Sequence, residues 1–111
     1  MIALSLNDLA ERVEQRAGAS AEESYTRKLL DRGVAHCAKK LGEEAVETAI
    51  AALAQDDAAL IAEAADLLYH LLVLLESRNV PLAAVLHELD RRTSQSGHAE
   101  KASRTSSGNA P

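Results

Sequence analysis

Apolar side chains recur at spacings of three and four through most of the chain, the period of an amphipathic helix. Ser5 is placed to cap a first helix, with Asp8 three residues on as its capping-box partner. Leu6, Leu9 and Val13 follow at helical spacing, and Gly18 lies just past the end. Residues 18–23 read as a connector. Ser24 caps a short helix through Arg32, with Gly33 as its stop or as a bend. A longer helix runs from about Val34 to Ala54, with Leu41, Ala45, Val46, Ala49, Ala52 and Leu53 on its apolar side. Asp56-Asp57 breaks the pattern and supplies an N-cap for a helix from Ala58 to Ser77. That helix is apolar nearly all round, which predicts burial in a bundle centre or at a subunit interface. Asn79 reads as its C-terminal residue. Pro81 opens a last helix with Leu82, Val85, Leu86 and Leu89 on one face. From Thr93 the periodicity gives way to Ser, Gly, Lys, Arg and Asn, the composition of a mobile tail. The expected fold is therefore all-α. Four to five helices form an antiparallel bundle completed by dimerisation, with residues 1–92 as the domain and 93–111 as the tail.

Composition sharpens this picture. The 111 residues fit one domain, and so short a chain gains from burying surface against another copy. Aromatic residues are 2% of the chain, so the core must be built from Leu, Ala, Val and Ile. The net charge of −5 and the pI near 5.3 argue against nonspecific binding to nucleic acid or to anionic membranes. A lone cysteine, Cys37, excludes an internal disulfide and fits a reducing, cytoplasmic setting; it reads as a small buried residue. No signal peptide is visible, and the apolar run from Leu67 to Leu75 is too short to span a bilayer.

The chemistry is concentrated in two acidic clusters on the consecutive long helices. The first is Glu43-Glu44-x-x-Glu47, the second Glu63-x-x-Asp66. Residues i and i+3 lie about 4.5 Å apart along a helix axis and on nearby azimuths, so each cluster presents adjacent carboxylates. The short break at 55–57 makes the helices antiparallel neighbours, and the pairs can face each other across their groove. Converging carboxylates repel unless a cation neutralises them. An all-oxygen set suits a hard ion, Mg²⁺ or Mn²⁺. A Glu-rich face is more often only solvated, and Lys39 or Lys40 could neutralise the first cluster. Glu63 and Asp66 have no Lys or Arg within a helical turn, which marks them as functional candidates.

The acidic motif resembles the metal-binding signature of the all-α nucleoside triphosphate pyrophosphatase superfamily, the MazG-like group. Three further segments resemble the phosphoribosyl-ATP pyrophosphatase family within it: Ser24-Tyr25-Thr26-Arg27-Lys28-Leu29-Leu30, Lys39-Lys40-Leu41-Gly42-Glu43-Glu44 and Glu63-Ala64-Ala65-Asp66-Leu67-Leu68-Tyr69-His70. Residues 96–104 resemble that family's C-terminal pattern. The resemblance covers about residues 4–104; residues 105–111 match nothing in it.

The resemblance implies Mg²⁺-dependent hydrolysis of phosphoribosyl-ATP between its α- and β-phosphates. The products are phosphoribosyl-AMP and pyrophosphate, at the second step of histidine biosynthesis. It also implies a homodimer or higher homo-oligomer. Glu44, Glu47, Glu63 and Asp66 are the expected metal ligands. Glu43 and Glu44 are candidates for activating water, Glu43 being otherwise a partner of Lys39 or Lys40. Ser24, Tyr25, Lys28, Lys39, Lys40, Lys101 and Arg104 are candidate substrate contacts, against ordinary capping, packing and surface roles. His70, one turn after Asp66, is a candidate hydrogen-bond support for a ligand carboxylate. Tyr69 reads as packing, while His36, His87 and His98 carry no case. The alternatives are a house-cleaning hydrolase of noncanonical nucleotides with the same acidic site, and a helical dimerisation module with no activity.

Overall fold

The computed structural model describes residues 3–94; the expected substrate contacts Lys101 and Arg104 lie outside them. Five helices, with no strand among the described residues, run α1 (Leu6–Ala17), α2 (Tyr25–Asp31), α3 (Val34–Ala54), α4 (Asp57–Ser77) and α5 (Leu82–Thr93). The all-α expectation holds, and most boundaries fall where the capping residues put them. Ser5 accepts from Asp8 N at 3.0 Å, and Asp8 Oδ2 accepts from Ser5 N at 3.2 Å. Asp56 caps α4 through Ala59 N at 2.9 Å. Asn79 takes φ 55°, and the bonds from Asn79 N to Glu76 O and from Val80 N to Leu75 O close α4 in a Schellman motif. Gly33, at φ 92°, turns the chain from α2 into α3, a conformation that costs other residues strain.

The chain divides into two units, residues 1–80 and a second unit that begins at Pro81 and contains α5. In the first unit α3 packs along α4, and α1 and α2 close over one end, each touching α4. Its core holds Val13, Leu29, Cys37, Ala51, Leu72 and Val73. The Tyr69 hydroxyl shares a 2.6 Å hydrogen bond with Thr26, tying α2 to α4. In the second unit Glu88 binds both Arg91 and Arg92, the latter at 3.0 Å, and these partners hold its carboxyl down at about 2.

One expectation about faces is corrected. The side of α3 expected to be apolar and inward is largely outward: Val46 is 60% and Leu53 89% exposed. The inward stripe is instead Cys37, Leu41, Glu44, Thr48 and Ala51, spaced alternately four and three. It contains a carboxylate, a hydroxyl and a thiol, so hydrophobicity alone points to the wrong face. Helix α4 is only partly buried within one chain: Ile61 is 69% and Leu68 41% exposed, and only His70, Leu72 and Val73 are buried. By length and composition α4 could cross a membrane, with a mean hydropathy of 1.8. Glu63 and Asp66 stand at its middle, where hydrocarbon would penalise each by about 2.5–3.5 kcal/mol.

Candidate active site

The acidic groups converge where α3 and α4 pack. Carboxylate oxygens of Glu44, Glu63 and Asp66 lie within 4.8 Å of one another. Glu44 is buried in the inward stripe of α3, Glu63 is half-buried, and Asp66 is exposed. Thr48 fixes the register: its hydroxyl is shared between Glu44 O at 2.7 Å and Glu63 O at 3.1 Å. Burial, then the charges of Glu47 and Asp66, push the Glu44 carboxyl from 4.5 up to about 7. Glu63 is also raised, chiefly through its hydrogen-bonding proximity to Glu47 and then by burial. Glu44 Oε2 and Glu63 Oε2 are buried with no hydrogen-bond partner. Two orphaned carboxylate oxygens on neighbouring members of an acidic cluster are what a bound hard cation would satisfy.

The other expected site residues divide by position. Glu47 is exposed beside the cluster, near enough to perturb Glu44 and Glu63 but outside the three-residue group. Glu43 is also outside it, paired with Lys40 at 3.4 Å, the pairing weighed from the sequence. Ser24 is engaged within the chain: its hydroxyl donates to Arg16 O at 2.9 Å and accepts from Arg27 N at 3.1 Å. His70 is buried with Nδ1 unpartnered, and burial followed by the Lys40 charge lowers its pKa. Its ring packs edge-on to Tyr69, centroids 5.1 Å apart, and to Tyr25 at 6.5 Å.

Next to this aromatic group a cavity of about 530 Å³ opens between α2 and the start of α3. Of the candidate substrate contacts, Tyr25, Lys28 and Lys40 line it and Lys39 does not. Arg32 and His36 also line it. Sequence reasoning passed over both, although His36, Lys40 and Glu44 recur every four residues along one side of α3. That spacing was the available signal.

A family model described as phosphoribosyl-ATP pyrophosphohydrolase matches residues 6–93. The chain belongs to this family. The phosphoribosyl-ATP pyrophosphatase 1 of Bradyrhizobium diazoefficiens is 62% identical over 90% of the chain and 94% of its own length. The phosphoribosyl-ATP pyrophosphatases of Azorhizobium caulinodans and Agrobacterium fabrum are 61% and 59% identical. They cover 91% and 94% of the chain and 93% and 97% of their own lengths. The family member described here is therefore an enzyme, a hydrolase, and its acidic cluster and basic cavity both fall inside the matched region.

Proposed function

We propose that the chain hydrolyses the α–β phosphoanhydride of phosphoribosyl-ATP with Mg²⁺, yielding phosphoribosyl-AMP and pyrophosphate at the second step of histidine biosynthesis. The observation that carries the metal site is the convergence of Glu44, Glu63 and Asp66, with two buried oxygens left unpartnered. These three residues, with Glu47 at their edge, would hold the ion. When bound, Mg²⁺ (or Mn²⁺) supplies positive charge to the phosphoryl oxygens and to the leaving pyrophosphate. The protein's part is to position and to move a proton. Thr48 keeps the two acidic helices in register. Glu43 and Glu44 are the carboxylates proposed to take the proton of the attacking water. Glu43 is exposed and only loosely tied, at 3.4 Å, to Lys40. Lys28 and Lys40 meet phosphate charge, and Tyr25, 56% exposed, offers a ring face for a base or ribose.

The proposal includes a homodimer. Val46, Ile50 and Leu53 on α3, with Ile61 and Leu68 on α4, leave apolar surface on both helices of the packed pair. A second copy covering this surface would form a four-helix centre. It would account for the apolar composition of α4. A cytoplasmic location is part of the same proposal.

Side-by-side assay of phosphoribosyl-ATP and a panel of dNTPs tests the substrate. Preference for phosphoribosyl-ATP supports the proposal. Preference for a noncanonical dNTP would move the chain to house-cleaning hydrolysis.

A further inference from the structure

We propose that the cavity lined by Tyr25, Lys28, Arg32, His36 and Lys40 is a phosphomonoester subsite that receives the 5′-phosphate of the substrate's phosphoribosyl group. On this view Arg32 and His36 set specificity for a substrate phosphorylated at both ends. The inference rests on the substrate proposed above and deepens it.

The cavity, about 530 Å³, combines an aromatic wall with a cluster of cations. Its one acidic wall residue, Asp31, is neutralised by Arg27, with Arg27 Nη2 at 2.7 Å and Nε at 2.8 Å from Asp31 Oδ1. Lys40 is shared with Glu43. Among the described residues Lys28 and Arg32 have no salt-bridge partner, so two cations face the cavity with their charge uncommitted. Arg32 offers the planar fork that suits phosphate, and Lys28 a mobile point charge. His36 stands among Arg32, Lys39 and Lys40, a setting that an arriving dianion would relieve.

Position separates the Arg32–His36 end of this subsite from the scissile anhydride, while Lys40 lies one turn from Glu44. His36, Lys40 and Glu44 follow one another along one side of α3, and eight residues correspond to about 12 Å of helix rise. A γ-phosphate is a single phosphoryl unit from the α–β bond and cannot span two helical turns. The phosphoribosyl phosphate is separated from that bond by a nucleoside and a second ribose, and can. Tyr25 lines the cavity, and its ring stands 6.5 Å from that of His70, one helical turn along α4 from Asp66, so the intervening base or ribose would pass over it.

The test uses ribose 5-phosphate as probe, titrated calorimetrically without metal into the wild-type chain, Arg32→Gln and His36→Gln. Melting curves confirm that each variant folds. We expect ribose 5-phosphate to bind wild type and to bind Arg32→Gln roughly tenfold more weakly, the loss of a charge-assisted phosphate contact. In turnover, Arg32→Gln should raise KM for phosphoribosyl-ATP about tenfold with kcat within about twofold, while the inhibition constant of plain ATP stays unchanged. Arg32→Lys should recover part of the loss. Equal binding of ribose 5-phosphate to wild type and variants, or none to wild type, overturns the subsite. So does a parallel weakening of ATP, which would assign the cavity to the triphosphate. A wild-type chain that binds ribose 5-phosphate but does not turn over phosphoribosyl-ATP would instead count against the proposed reaction.

Discussion

The hydroxyl of Thr48 on α3 reaches the carbonyl oxygen of Glu63 on α4 at 3.1 Å, across the packed turns that carry the acidic cluster. The same hydroxyl lies 2.7 Å from the carbonyl of Glu44. One side chain thus binds the backbone of both principal carboxylates. Thr48→Val keeps the shape and removes the hydroxyl. We expect a loss of about 0.5–1.5 kcal/mol, together with weaker Mg²⁺ binding. Calorimetric melting with and without Mg²⁺ measures both. An unchanged metal response would show that the register does not depend on this bond.

The Thr26–Tyr69 bond makes a separate stability prediction. Thr26 is 1% exposed, so Tyr69→Phe leaves its hydroxyl without water or a partner. The expected cost is about 1–3 kcal/mol. Because Tyr69→Phe keeps the ring that stacks beside Tyr25, with centroids 6.4 Å apart, KM should stay nearly unchanged. Denaturant melting of the variant decides the first point, and initial rates the second.

Metal and pH should act in opposite directions. In the metal-free chain the Glu44 carboxyl is pushed up from 4.5 to about 7, and Glu63 moves the same way. A raised carboxyl pKa means that the folded state binds the proton more tightly than the unfolded state. Its contribution to stability is present below about 4.5 and is lost as pH climbs through about 7. The metal-free melting temperature should therefore fall over that window. Mg²⁺ competes with the proton, so its stabilising effect should be larger at pH 8 than at pH 5.5. Equal Mg²⁺ shifts at both values would contradict this account.

The exposed apolar surface predicts the assembly state. Burying side chains such as Leu53 and Ile61 is worth roughly 1.5–3 kcal/mol each. Leu53→Glu with Ile61→Glu should convert a dimer to monomers in sedimentation equilibrium and lower the melting temperature. A wild-type chain that is monomeric at micromolar concentration would remove the dimer from the proposal.

The fold was largely legible because its punctuation is local. Ser5, Ser24, Gly33, Asp56, Asn79 and Pro81 each mark a helix end through their own backbone or side-chain chemistry, and each does so in the structure. Which side of α3 faces inward was not legible, because the seam with α4 carries Glu44 and Thr48 while Val46 and Leu53 point outward. Hydrophobic periodicity assumes that the inner face is apolar, and here the inner face also carries a member of the acidic cluster. The i, i+3 spacing anticipated the meeting of Glu44, Glu63 and Asp66. The isolation of Glu44 Oε2 and Glu63 Oε2 from any donor could emerge only from packing. Arg32 joins His36 and Lys40 of α3 only through the turn at Gly33, whereas His36 was legible in its four-residue spacing to Lys40 and Glu44.

The most direct measurement is pyrophosphate release from phosphoribosyl-ATP by the wild-type chain and by Glu63→Gln, each with and without Mg²⁺. The account predicts release that requires Mg²⁺ and falls at least about a hundredfold in a folded Glu63→Gln, more than losing an outer hydrogen-bond partner usually costs. Release that persists without a divalent ion, or a Glu63→Gln variant as fast as wild type, would contradict it.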